Sequence, residues 1–188
     1  MTRAVLPPVG AVVAAFERAL QAPGPVPAGL LGTLVELHAN NLAQWGLEDA
    51  ARAPEATDAV LATAKRGIDR LNLARHQFVE RVDTLVEEAV GQTVGAPPVT
   101  ESPGMVFDRL SVLVIRLHHT ELASRLPAPG AEPYAARLPA LREQLMWLEA
   151  SLERLLRDLC EGERSFLPYR HLKLYGPTAR GVWPASPL

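Results

Sequence analysis

The segment DAVLATAKRGIDRLNLARHQFVERVDTLVEEAVG, residues 58–91, decides the fold class of this chain. Its apolar residues recur every three or four positions, the spacing that places them on one face of an α-helix. This apolar arc comprises Val60, Ala64, Ile68, Leu71, Phe78, Val82, Leu85 and Val86. Thr57 or Asp58 can cap the first turn. The segment therefore predicts one long amphipathic helix, and strand patterns are nearly absent from the rest of the chain.

On either side of this segment the sequence predicts further helices, separated by stretches rich in Pro and Gly. They cover about 9–21, 28–52, 103–125 and 134–160, and Ser102-Pro103 forms a good start for the fourth helix in chain order. Short connections between helices favour an antiparallel arrangement. We therefore predict an all-α, single-domain antiparallel bundle of four to five helices over residues 1–188. Its core covers about 28–161, and 162–188 form an irregular tail.

Composition excludes several classes of function. The chain has 188 residues, 48% of them hydrophobic and 21% charged, which is typical of a soluble globular protein. A net charge of −2 provides no basic surface for nucleic acid and no steering toward a membrane. Cys160 is the single cysteine, so neither an intramolecular disulfide nor a thiolate metal cluster is expected. Prolines interrupt the apolar N-terminal run, so we do not expect an export signal, and we predict a cytoplasmic protein.

A polar stripe runs along predicted helix 28–52. Because a helix turns about 100° per residue, seven of its residues share roughly 100° of arc. They are Leu34, His38, Asn41, Trp45, Glu48, Asp49 and Arg52. The stripe continues a line of leucines, which indicates that its His38 end faces the interior. A separate arc, expected to face solvent, contains Glu36, Asn40 and Gln44. The alternative is a boundary stripe whose charged end lies in water.

The long helix carries Arg75 in the middle of its apolar arc. A buried arginine is rare without a partner, since an uncompensated buried charge costs several kcal/mol. Glu48 or Asp49 is the nearest candidate carboxylate, and the sequence does not distinguish between them. The alternative to a binding site is an ion pair that only fixes the register of the helices. A second polar stripe along the edge of this helix comprises Lys65, Asp69, Asn72, His76 and Asp83.

In the helix that begins near residue 103, Ser111 and His118 are seven residues apart and share an apolar arc. Other polar residues of this helix are predicted to point elsewhere: Asp108, Arg109, Arg116 and His119. A histidine on an apolar face is most often a core residue with a satisfied hydrogen bond. A second inward histidine in the same bundle nevertheless favours a functional interpretation.

These patterns together predict polar side chains converging inside the bundle, which is how active sites in helical bundles are built. We assign His38, Glu48 and His118 as candidate catalytic groups, since histidine and carboxylate can exchange protons with a ligand. Candidate substrate-binding residues are Asn41, Trp45, Asp49, Lys65, Asn72, Arg75 and Ser111. No ligand spacing indicates a metal, and no phosphate loop or dinucleotide motif indicates a cofactor.

Four segments resemble the bacterial domain-of-unknown-function family 4254 over about residues 34–175. They are LHANNLAQWGLEDAAR, AKRGIDRLNLARHQFVERVD, ESPGMVFDRLSVLVIRLHH and FLPYRHLKLY, in the order in which the family has them. The resemblance implies a shared site and a role near surface-polysaccharide or other biosynthetic pathways, but no particular activity. It implies that the motif residues are His38, Asn41, Trp45, Glu48, Asp49, Arg52, Lys65, Arg66, Asp69, Asn72, Arg75, Glu101, Asp108, Arg109, Ser111 and His118.

The first hypothesis is a cofactor-independent biosynthetic enzyme, of isomerase, cyclase or lyase type, that acts on a small anionic metabolite. Arg75 and Lys65 would bind the anionic group, His38 or Glu48 would act as base, and His118 would act as acid or as an orienting hydrogen-bond donor. The alternative is a non-catalytic ligand-binding or assembly protein of such a pathway. A third interpretation is a homodimer whose polar stripes meet across the interface.

Overall fold

The structure is a computed structural model that describes residues 6–22, 24–127 and 130–172. The chain is all-helical in these ranges and packs as a helical bundle. The helices are α1 Val9–Gln21, α2 Gly29–Arg52, α3 Asp58–Val90, α4 Pro103–Ala123, α5 Glu132–Ala135 and α6 Leu138–Glu161. The predicted bounds of the first four helices are therefore confirmed to within two residues.

The fifth predicted helix is wrong in one respect: it is two helices, α5 and α6, separated by a turn at residues 136–137. Pro139 explains the break. Proline has no N–H with which to continue a helix from α5, and its ring would crowd the carbonyl group of Ala135. Within the first turn of a new helix the same residue is well tolerated, and Pro139 lies in the first turn of α6.

Side-chain caps account for the starts of the two helices that carry most of the site. The Thr57 hydroxyl accepts a hydrogen bond from the backbone N–H of Val60 at 3.4 Å, so Thr57 rather than Asp58 caps α3. The Ser102 hydroxyl accepts one from Met105 at 3.4 Å, and Pro103 begins α4. These hydroxyls satisfy backbone donors that a helix start otherwise leaves unpaired.

Helix α4 is the centre of the bundle, because it packs against each of the other five helices, whereas α2 lies mainly along α3. Core side chains from α4 include Phe107 and Leu110, both fully buried. The start of the apolar arc of α3 is an exception to the prediction, since Val60 is 42% exposed. It lies in the first turn of α3, where no other helix covers it sufficiently.

Residues 163–172 form an irregular segment that lies against α3. Polar side chains of α3 and of the following loop accept its backbone N–H groups: Gln92 binds Phe166 at 2.9 Å, and Asp83 binds Tyr169 at 2.8 Å. Phe166 is only 4% exposed and joins the core. The predicted irregular tail is thus observed up to residue 172, and its remainder lies outside the described residues. No helix among the described residues is both long and apolar enough to cross a membrane.

Candidate functional site

The centre of the site is an ion pair between α3 and α4. Arg75 Nε lies 2.8 Å from Asp108 Oδ1, and Arg75 Nη2 lies 2.6 Å from Asp108 Oδ2. The hydrogen bond to Asp108 raises the pKa of the guanidinium group. The expectation that Glu48 or Asp49 pairs with Arg75 is therefore wrong. Asp108 was expected to point away from the interior, but it is only 8% exposed, because α4 packs against each of the other five helices.

A hydrogen-bonded chain extends from this pair into the core. Asn41 Nδ2 donates to Asp108 Oδ1 at 3.0 Å and to Ser111 Oγ at 3.1 Å. Ser111 Oγ in turn lies 2.9 Å from His38 Nδ1. The structure thus brings together His38, Asn41, Arg75 and Ser111, four of the residues predicted from sequence, through Asp108, which the prediction had placed elsewhere.

His38 is the innermost member of this chain and is fully buried, with its ring stacked on Phe16 at a centroid distance of 4.4 Å. Burial lowers the pKa of His38 from 6.5 to about 4, so the imidazole is neutral at pH 7. Its Nε2 has no hydrogen-bond partner among the described residues. A ligand could touch this ring only if the core opened, so the geometry favours His38 as a supporting residue rather than a catalytic one.

The charged end of the α2 stripe lies at the surface, as the boundary interpretation expected. Arg52 Nη2 pairs with Glu48 Oε2 at 2.7 Å, and Arg52 Nη1 lies 3.9 Å from Asp49 Oδ1. Lys65 pairs with Asp69 on the exposed face of α3. Asp69 is therefore the partner of Lys65, and the structure does not bring Lys65 into the chain around Asp108.

Three other residues do not lie where the sequence predicted. Asn40, expected to face solvent, is 8% exposed and donates to the carbonyl oxygen of Leu71 at 3.1 Å, because α3 covers that face of α2. His118 is half-buried and meets the ring of His119 edge-on at 5.5 Å, and it makes no hydrogen bond to Ser111. Asn72 is half-buried and outside the hydrogen-bonded chain.

Arg75 also reaches the surface, where it lines an open groove of about 720 Å³ between α4 and α6. We call this cavity the arginine groove, because three of its wall residues are Arg75, Arg109 and Arg116. Glu143 is the one carboxylate in its wall, and Trp147 and Leu148 of α6 provide apolar surface. The groove thus combines arginine side chains with an apolar side, which suits an anionic organic molecule.

The three arginines differ in how much of their charge is already neutralised. Arg109 pairs with Glu101. Arg75 binds Asp108 through Nε and Nη2, while its Nη1 bonds to no described residue. Arg116 is exposed, and no carboxylate in the described ranges lies within 4.0 Å of its guanidinium group. Arg116 and the third nitrogen of Arg75 are therefore available to an incoming anion.

A second cavity, of about 800 Å³, shares Arg116 with the arginine groove and contains His119 and Trp45. The two rings stack at a centroid distance of 5.1 Å. Burial lowers the pKa of His119, and the neighbouring His118 lowers it further by a smaller amount. His119 therefore favours the neutral imidazole. His119 Nε2 has no partner among the described residues. Sequence analysis missed His119, and the adjacent pair His118-His119 was the one signal that could have indicated it.

Comparison with known proteins supports the family resemblance that the sequence motifs indicated. In the described part of the chain, no group of three His, Cys, Asp or Glu side chains is arranged to hold a metal ion. No curated protein and no solved structure matches the sequence. The profile of the family described as "Protein of unknown function (DUF4254)" matches residues 32–167, which include every residue of the hydrogen-bonded chain. The chain therefore belongs to the DUF4254 family.

Proposed function

We propose that the protein binds a small anionic metabolite in the arginine groove. The observation that carries this proposal is the position of Arg75, which lines the groove while Asp108 holds its guanidinium group through Nε and Nη2 only. An arginine fixed in this way loses little conformational freedom when it binds a ligand. Arg116 lies in the same wall and lacks a carboxylate partner among the described residues, so the two can bind one carboxylate or phosphate together.

A calorimetric titration with succinate and with propyl phosphate tests the proposal. We expect the parent protein to bind at least one of the two, and Arg116→Met to weaken that binding by about tenfold or more. Arg81→Met is the matched control, because Arg81 is an exposed arginine of α3 outside the groove. The proposal would be contradicted if Arg116→Met bound as tightly as the parent protein, or if the parent protein bound neither anion.

An acid–base enzyme is the second candidate, and the cavity next to the groove favours it. A neutral imidazole can accept a proton from a ligand held by Arg116, and His119 lines the same cavity as Arg116. In this form of the proposal, His119 acts as base in place of the buried His38, and the reaction is of isomerase, cyclase or lyase type. Binding without catalysis, in a ligand-binding or assembly protein, requires the arginines alone.

Deuterium exchange separates these two candidates. If the protein is an acid–base enzyme, a bound carboxylic acid should take up deuterium from D₂O at a C–H position, as followed by NMR. His119→Gln should abolish the uptake while leaving the affinity of the acid within about twofold. Tight binding of succinate without any uptake by the parent protein would favour a ligand-binding role.

A further inference from the structure

A smaller recess of about 290 Å³ opens beside the arginine groove. It shares Arg75, Val112 and Arg116 with that groove, and its remaining wall includes Asn41, Gln44 and Glu48 of α2. The volume corresponds to about ten water molecules at about 30 Å³ each. A few polar atoms of a ligand can therefore occupy the recess while its anionic group stays against the two arginines.

The orientation of the Asn41 amide is fixed by its neighbours. Its Nδ2 lies 3.0 Å from Asp108 Oδ1 and 3.1 Å from Ser111 Oγ. A carboxylate only accepts hydrogen bonds, so the amide nitrogen, and not the amide oxygen, has to face Asp108. Both oxygens of Asp108 already accept hydrogen bonds from Arg75. The Asn41 oxygen is consequently directed away from this carboxylate.

That oxygen lacks a partner. Asn41 is 6% exposed, and its Oδ1 is buried without a hydrogen-bond donor among the described residues. The same is true of Gln44 Oε1 on the next turn of α2. A buried acceptor without a donor is costly, and native proteins pair nearly all such groups. Both side chains line the recess, so a ligand there can supply the missing donor.

We infer that the recess binds the hydrogen-bond donor of a small anion, with its O–H or N–H group donating to Asn41 Oδ1. The ligand is then a hydroxylated or amino-bearing carboxylate or phosphate rather than a simple anion. This inference rests on the proposed function, because Arg75 and Arg116 hold the anionic group. Glu48 also lines the recess, but its carboxylate is already paired at 2.7 Å with Arg52, which lines the recess as well.

Matched ligands test the inference directly. Succinate, malate and aspartate share one four-carbon dicarboxylate skeleton, and malate and aspartate add a hydroxyl and an ammonium group. Propyl phosphate and glycerol 3-phosphate form the corresponding phosphate pair. We expect calorimetry on the full chain to show binding about tenfold tighter for a donor-bearing member than for its plain partner. The comparison of malate with aspartate shows which donor the recess prefers.

Asn41→Leu should weaken the binding of a donor-bearing ligand more than that of its plain partner, and so remove the preference. Asn40→Leu is the matched control, because Asn40 is also buried on α2 but does not line the recess. If Asn41→Leu does not fold, the comparison within the parent chain decides the question. Equal affinities within every set would overturn the inference and leave the proposed function intact. Absence of binding for all five ligands would overturn the proposed function itself.

Discussion

Asp108 accepts two hydrogen bonds from Arg75 and one from Asn41, and it thereby connects α2, α3 and α4 at one point. The side chains of this ion pair are 29% and 12% exposed, so water screens it less than it screens the pairs at the surface. The same carboxylate holds Arg75 for the groove and orients the amide of Asn41. Under the proposed function, stability and ligand binding would therefore both depend on Asp108.

Removing either partner should destabilise the protein. Arg75→Met and Asp108→Leu should each lower the free energy of unfolding by about 2 to 3 kcal/mol, because each leaves a poorly hydrated charge without its partner. The double variant should lose less than the sum. Arg52→Met, which breaks only the surface pairs with Glu48 and Asp49, should stay within about 0.5 kcal/mol of the parent. Urea denaturation measures all four, and a more stable Arg75→Met would contradict this description of the pair.

The burial of His38 should make stability depend on pH. The pKa of His38 is about 4 in the folded protein and about 6.5 in the unfolded chain, so the unfolded chain binds the proton first. The free energy of unfolding should therefore fall as the pH drops from about 6.5 to 4, by up to about 3 kcal/mol from this residue.

The variant His38→Leu isolates this contribution. Burial raises the pKa of Asp83, and this shift makes the folded protein more stable as the pH falls, opposite to the effect of His38. Asp83 is present in both proteins, so its contribution cancels when the two are compared. Denaturation of parent and variant at pH 6.5 and pH 4 should thus show that the free energy of unfolding falls less in the variant between the two pH values. Equal losses would mean that His38 becomes protonated in the folded protein as readily as in the unfolded one.

At this scale the sequence predicted the burial of some polar residues but neither that of Asn40 and Asp108 nor the hydrogen-bond partners. His38, Asn41 and Ser111 are buried, and Arg75 does pair with a carboxylate. The identity of that carboxylate depends on which helix packs beside α3, and a helical wheel contains no such information. Asp108 was assigned to the wrong environment because the wheel assumes that only one face of α4 is buried.

At the scale of the helices, the residues at which each helix begins and ends were the most predictable feature, because local chemistry determines them. Thr57 and Ser102 accept hydrogen bonds from the first turns of α3 and α4, and these interactions involve only neighbouring residues. The break before α6 is also local, since Pro139 causes it, but the apolar periodicity continues across the break and conceals it. Contacts between helices are non-local and follow only from the packed structure.

The crossing of α3 and α4 requires glycine at position 104. Its backbone N–H donates to Asp83 Oδ1 at 2.7 Å, and a Cβ there would meet the carbonyl oxygen of Val79 at 2.5 Å. Gly104→Ala should therefore destabilise the protein by about 2 kcal/mol or more, since one helix has to move. Gly46→Ala has open space around it and should stabilise by about 0.5 to 1 kcal/mol through helix propensity.

Thermal unfolding of the two glycine variants measures both effects. Opposite shifts of the midpoint are expected, downward for Gly104→Ala and upward for Gly46→Ala. A Gly104→Ala protein as stable as the parent would mean that α3 and α4 are not in close backbone contact at this position.

For the whole molecule, the arginine groove was beyond prediction from sequence. Its walls come from α3, α4 and α6, which are far apart in the chain, and the cavity exists only because these helices pack around α4. The sequence indicated an anionic ligand through Arg75 but placed the binding residues inside the bundle. Arg116 and His119 were expected to point away from the interior, and both line cavities at the surface that the sequence did not predict.

The most direct test of the central claim is to locate an anion in the groove. Crystals soaked in millimolar tungstate should show an anomalous peak within hydrogen-bond distance of Arg75 Nη1 and the Arg116 guanidinium group. Crystals of Arg116→Met should lose that peak and keep any peaks elsewhere. A tungstate found only away from these two arginines, or unchanged in the variant, would contradict the account.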